Sequence, residues 1–113
     1  MAGVVRVFCG VPIWAVVAAA DTAGELMWPM PMPAELRPSL DSTIADLKNI
    51  GERFGGMMTA AVFLQEFVND KTNWVHLDIA GPSFNEGGPH GYTGKGGTGY
   101  AVRTLVQFAL NSA

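Results

Sequence analysis

Helical, extended and again helical patterns follow one another along these 113 residues, an order that predicts an α/β layer architecture. Three stretches carry that expectation. An alanine-rich run spans Ile13 to Ala23, a period-two run spans Trp74 to Ile79, and a run of helical spacing spans Ala101 to Leu110.

Ile13 to Ala23 contains no helix breaker, and Gly24 follows where a left-handed residue ends a helix. Apolar residues surround this segment, so it is expected to be buried. Met27 to Pro33 places prolines at 29, 31 and 33, which forbids a helix or a central strand and predicts an extended connector. Ala34 to Leu40 is expected to be a short helix broken at Pro38. Thr43 to Ile50 is expected to be a short strand leading into a loop from Gly51 to Gly56. From Met57 to Val68, the set Met57, Ala61, Leu64 and Val68 has helical spacing, with Ala60, Phe63 and Phe67 on an adjacent stripe. That helix is expected to be mostly covered, with Gln65, Glu66, Asn69 and Asp70 on its wet side.

Along Trp74 to Ile79, Trp74, His76 and Asp78 alternate with Val75, Leu77 and Ile79, as a strand requires. Pro82 to Gly97 holds six glycines and two prolines, a loop long enough to suggest binding or an interface. The last helix is expected to turn Val102, Leu105, Val106, Ala109 and Leu110 inward and Arg103, Thr104, Gln107 and Asn111 outward.

Composition bounds what the chain does. Apolar residues are 49% and charged residues 15%, against about 25% charged in ordinary soluble domains, so the chain reads as the interior of something larger. Seven basic and ten acidic residues give a formal charge of −3 without a basic cluster, which argues against a nucleic-acid partner. The single cysteine, Cys9, excludes an internal disulfide and fits a reducing compartment. Arg6, the apolar run after it and Ala18-Ala-Ala20 imitate a secretory signal. Gly10, Pro12 and Trp14 interrupt that run, and a helix accounts better for Ala15 to Gly24. No membrane partner is expected.

Two groups of residues invite chemistry. His76 and Asp78 lie two apart on one strand face; they can reach one metal ion, pair as ligand and orienter, or simply satisfy each other in a core. A catalytic metal needs at least three protein ligands, and the other histidine, His90, lies in the glycine-rich loop. Gly94-Lys-Gly-Gly-Thr-Gly99 precedes a helix, so its amides and Lys95 can hold an anion. The preceding strand ends too far upstream for a dinucleotide fingerprint, and close packing is the plainer reading. Nucleophilic catalysis finds no support, since no serine has an evident histidine partner and Cys9 stands apart.

Trp74-Val-His-Leu-Asp-Ile-Ala-Gly81, with Lys95-Gly-Gly-Thr-Gly99 after it, resembles the carboxy-terminal end of the leucyl (cytosol) aminopeptidases. The resemblance extends upstream through Ala18-Ala-Ala-Asp-Thr-Ala-Gly-Glu25, Trp28-Pro-Met-Pro-Met-Pro33, Ala45-Asp-Leu-Lys-Asn-Ile-Gly51 and Gly55-Gly-Met-Met-Thr-Ala-Ala61. It divides the chain into a poorly matching segment, 1–13, and residues 14–113. The latter resemble the terminal part of a three-layer αβα mixed-sheet metallopeptidase catalytic domain, here incomplete.

What the resemblance implies is a metal-dependent aminopeptidase that releases amino-terminal residues, leucine among them, from peptides. Two divalent ions, manganese, zinc or magnesium, would activate water and polarise the scissile carbonyl in the complete enzyme. The family motif Asn-Thr-Asp-Ala-Glu-Gly-Arg has no counterpart here; Asn49-Ile-Gly-Glu-Arg53 is not that motif. No catalytic residue and no metal ligand is therefore assigned to this chain. It is expected to bind no metal and to be inactive alone. By carry-over, Ile50 resembles a contact to the residue after the scissile bond, and Ala80 resembles part of the pocket for the first side chain. Ser83 falls where some members have an apolar pocket residue. Tyr100 replaces the family's usual arginine, which puts any ion pair there in doubt. The resemblance also implies a cytoplasmic hexamer. A non-catalytic module that captures an anion or a peptide end is the competing expectation.

Overall fold

In the computed structural model, strand β1 (Gly3–Phe8) lies in the middle of a three-stranded sheet, between β2 (Met27–Pro29) and β3 (Trp74–Asp78). Residues 3–8 and 13–113 are described, the first group through backbone alone. Cys9, Gly10 and Pro12 lie outside them. The sheet is mixed: β1 runs parallel to β2, with Val4 opposite Trp28, and antiparallel to β3, with Arg6 opposite His76. Sequence reasoning foresaw β3 but neither β1 nor β2. Met27–Pro29 is strand rather than pure connector, and it obeys the proline rule by taking an edge of the sheet.

Helix α1 (Ile13–Ala23) ends as its sequence dictates. Gly24 has φ 72°, its N–H donates to Asp21 O, and the Glu25 N–H donates to Ala20 O. These are the two bonds of a Schellman closure, which satisfies carbonyls the helix leaves unpaired. A 3₁₀ helix at Ala34–Leu40 passes through Pro38 instead of breaking there; the tighter winding of a short 3₁₀ run accommodates the missing N–H. Residues 43–50 form bends rather than the expected strand. Helix α2 (Gly56–Gln65) follows a left-handed Gly55. It is shorter than its apolar pattern, which runs on to Val68. Two short strands, β4 (Phe84–Asn85) and β5 (Gly96–Gly97), pair antiparallel inside the glycine-rich region. Helix α3 (Val102–Asn111) starts after Ala101, which holds a left-handed φ of 72° without being glycine.

Helix α1 packs on α3 and on the β1–β2 half of the sheet, whereas α2 packs on the 3₁₀ segment. The resulting core is small. Val16, Ala19, Ala20, Leu40, Ala61, Val62 and Ala101 are its buried apolar residues, while fifteen large apolar residues stand exposed among the described ones. The accessible surface is 7575 Å², whereas a compact monomer of this mass exposes about 6,000 Å². The molecule measures 48 × 36 × 18 Å with a radius of gyration of 15.7 Å, against about 13 Å for a compact chain of this length. It is a thin slab that leaves many large apolar side chains uncovered.

Burial corrects three expectations. Helix α1 covers Val16, Ala19 and Ala20 but leaves Trp14 exposed, so one face is buried and not the whole circumference. On α2 the buried residues are Thr59, Ala61 and Val62, while Met57, Leu64 and the following Phe67 face water. On α3 the outward expectation holds for Arg103 and Asn111, which are exposed, but Thr104 is fully buried, and Val102, Leu105, Val106 and Leu110 are 52–67% exposed instead of inward. The physical reason is one carboxylate just beyond the end of α1, described next. Its hydrogen bonds turn the threonine face of α3 toward α1 and leave the apolar stripe uncovered.

Candidate functional site

Ile50 is 77% exposed at the lip of a concavity of about 360 Å³ between the irregular 49–52 segment and α2. Leu40, Ala60, Phe63 and Leu64 give it an apolar wall, and Glu52 is its one ionisable lining residue. Gly51 fixes the lip. A Cβ there would lie 2.5 Å from Thr59 Cγ2 and 2.8 Å from Ser39 Oγ, so only glycine lets this backbone sit against α2 and the 3₁₀ segment. With Gly51 pressed inward, the flanking residues Ile50 and Glu52 both line the hollow.

Ala80 is outside that lining. It follows β3, exposed, with its N–H donating to Asp78 Oδ1 at 3.1 Å and its carbonyl accepting from Ser83 Oγ. The two candidate substrate contacts are therefore presented on separate elements, Ile50 beside α2 and Ala80 beyond the sheet. Ser83 is a turn residue in this structure: its N–H donates to Ile79 O, and its carbonyl accepts the Thr98 N–H.

On β3, the rings of Trp74 and His76 stack with centroids 6.2 Å apart, which confirms that they share a face. His76 Nε2 is buried without a hydrogen-bond partner among the described residues. Asp78 turns Oδ1 to the Ala80 amide. Among the described residues, no group of three or more His, Cys, Asp or Glu side chains converges to hold a metal ion. Burial lowers the His76 pKa below its ordinary value near 6.5, and the Asp78 charge opposes the shift. The unfolded chain thus takes up a proton near pH 6.5 that the folded chain accepts only at lower pH. The stability linked to neutral His76 is complete above about pH 6.5 and falls as pH drops toward the folded value. Urea unfolding at pH 7.5 and pH 5 is expected to show this loss in the native sequence and a smaller one in His76→Gln. Equal losses in both would assign the pH dependence to other groups.

The glycine-rich region is tied down from several sides. Asn85 Nδ2 donates to the carbonyls of Gly88 and Gly94, and Thr98 Oγ1 donates to Pro82 O at 2.6 Å. The Tyr92 hydroxyl donates to Gly24 O and accepts from Arg103, whose guanidinium also lies 4.4 Å above the Tyr92 ring. The bond to Tyr92, with Glu25 adding to it, raises the Arg103 pKa above its already high ordinary value.

Glu25 closes this network. Buried to 4% exposure, it accepts the Ala101 N–H at 3.1 Å on Oε1, and the Thr104 N–H and hydroxyl at 3.0 and 2.6 Å on Oε2. A carboxylate at a helix start meets unpaired amides and the positive end of the helix dipole. Two amides that an anion could use at the start of α3, those of Ala101 and Thr104, are thus engaged by the chain's own glutamate. Lys95 stays exposed. Tyr100, in place of arginine, donates its hydroxyl to Leu26 O, and Arg103 Nε comes within 3.7 Å of Glu25 Oε1, so an ion pair exists three residues later. Sequence reasoning missed Glu25. Its available signal was an acid directly after a helix-ending glycine inside an apolar chain.

The sequence pattern of the cytosol aminopeptidase family's catalytic domain matches residues 13–106. The chain belongs to the cytosol aminopeptidase family. A probable cytosol aminopeptidase of Streptomyces coelicolor is 61% identical over 95 residues, which are 84% of this chain and 18% of that protein. One from Micrococcus luteus is 60% identical over 99 residues, covering 80% of this chain and 19% of the relative. Among solved structures, the bottromycin maturation enzyme BotP in complex with Mn is 40% identical at a TM-score of 0.90, covering 96% of this chain and 24% of BotP. A tomato leucine aminopeptidase mutant is 37% identical at a TM-score of 0.86, covering 97% and 21%. The chain therefore spans about a fifth of the length of the family members it matches. The α/β mixed-sheet expectation holds, as part of a leucine aminopeptidase-type domain, and the uncovered sides of the slab agree with a partial domain.

Proposed function

We propose that this chain forms cleft wall and packing layers of a metal-dependent aminopeptidase that releases amino-terminal residues, leucine among them, from peptides. One observation carries the reading: nearly the whole chain superimposes on about a fifth of a tomato leucine aminopeptidase, and likewise on about a quarter of the bottromycin maturation enzyme BotP, solved with Mn. Ile50 then touches the residue after the scissile bond, and Ala80 touches the first side chain. The described residues do not fit a metal centre. His76 and Asp78 are the candidate pair, and Asp78 is turned to backbone. We assign the ligands for two divalent ions, manganese first among the candidates, to the part of the domain outside these residues. What this chain does in the reaction is to shape and dry the cleft: Gly51 holds the Ile50 lip against α2, and the Glu25 network holds the glycine-rich region beside α1. A cytoplasmic homo-oligomer, a hexamer, accompanies this reading.

A chimera tests it. Residues 13–106 replace the matching segment of the Streptomyces coelicolor relative, and leucyl p-nitroanilide hydrolysis is followed with added manganese. The chimera is expected to retain activity within about tenfold of its parent, a factor worth about 1.4 kcal/mol of barrier, and the 113-residue chain alone to show none. A folded but inert chimera would remove the cleft role. Robust cleavage by the pure chain would place the metal ligands within it.

A further inference from the structure

Glu52 is the only charge lining the concavity at Ile50, and its carboxylate makes no hydrogen bond or ion pair among the described residues. Arg53, next in sequence, does not line the hollow. The rest of the wall is mainly apolar, with Ile50, Phe63 and Leu64 among its contributors and Asn49 and Thr59 as its uncharged polar members. An apolar hollow with one free carboxylate suits a side chain that is itself a hydrocarbon stem ending in a cation. Lysine and arginine bury their methylenes along apolar surface while the charged head seeks a partner. A leucine or norleucine side chain would fill the same wall and leave Glu52 unanswered. An acidic side chain would face like charge.

From this we infer that Glu52 determines specificity: the subsite beside Ile50 prefers peptides with lysine or arginine after the scissile bond. The inference rests on the cleft reading above and deepens it. Position supports it as well as charge. Gly51, locked against Thr59 and Ser39, holds Ile50 and Glu52 in one fixed relation, so stem contact and head contact are offered together.

The test compares Leu-Lys with Leu-norleucine dipeptides as substrates of the chimera carrying residues 13–106. The two side chains share a four-carbon stem and differ in the charged head. The expected result is a preference for Leu-Lys in kcat/KM of about three- to fivefold at low salt, the size of a partly exposed ion pair. It should shrink as ionic strength rises. Glu52→Gln should abolish the preference, and Glu52→Lys should reverse it against Leu-Glu; the position is exposed, so the fold is spared. Equal cleavage of both dipeptides, or a preference that survives Glu52→Gln, would overturn the specificity role while leaving the cleft reading intact. Failure to cleave either dipeptide would overturn the cleft reading, and this inference with it.

Discussion

Replacing Glu25 with alanine is expected to destabilise the fold by roughly 2–4 kcal/mol, because it strands two buried amides and a hydroxyl that water does not reach. The magnitude follows from the asymmetry of buried hydrogen bonds. A well-made one contributes about 1 kcal/mol net, whereas a buried donor left unpaired costs about 1–3 kcal/mol. Glu25→Gln should fall between, since the amide keeps one acceptor but turns a donor toward donors. Thr104→Val removes one of the three bonds and leaves the helix amides capped, so it should cost less than Glu25→Ala. The double variant should cost less than the sum of the two singles. Urea midpoints of the four variants against the native chain decide it. A loss below about 0.5 kcal/mol for Glu25→Ala, the scale of ordinary surface substitutions, would mean that the carboxylate is not the element that joins α1 to α3.

The second large effect is expected at Gly51. An added methyl meets Thr59 Cγ2 at 2.5 Å and Ser39 Oγ at 2.8 Å, and Thr59 is buried, so it has little room to move. Gly51→Ala should therefore cost about 1–3 kcal/mol of overpacking strain and push Ile50 and Glu52 away from the concavity. Thr59→Ser supplies the control. It deletes the clashing methyl and keeps the hydroxyl that donates to Gly55 O, so the double variant should recover most of the loss. In the chimera, Gly51→Ala should also weaken use of peptides more than use of leucyl p-nitroanilide, which has no amino acid after the scissile bond. Equal losses on both substrates, together with no rescue by Thr59→Ser, would detach the lip from substrate contact.

Local chemistry was legible in the sequence where short-range rules decide the structure. Gly24 ends α1 as a left-handed residue because no side chain opposes that conformation, and β3 shows the period-two face that pairs Trp74 with His76. The family was legible from motifs in order. The strand at Gly3–Phe8 was not, because its residues are paired by partners 24 and 66–74 positions away and carry no turn signal of their own. The faces of α3 were misread for a related reason. Periodicity finds the apolar stripe correctly, but it cannot say that this chain covers the opposite face first. One distant carboxylate outweighs four aliphatic side chains when nothing else is present to cover them. The same limit applies to the site. Ile50 follows from the motif, whereas Glu52 becomes notable only when the hollow beside α2 is formed.

The contact between Glu25 and Thr104 spans 79 positions. During synthesis at about 5–20 residues per second, that separation amounts to roughly 4 to 16 seconds in which α1 has left the ribosome and its partner helix does not yet exist. Through that interval Val16, Ala19 and Ala20 have nothing to pack against on the α3 side. Newly made chains should therefore depend on a holding chaperone at this stage, and a pause in translation between the two helices should lengthen that dependence.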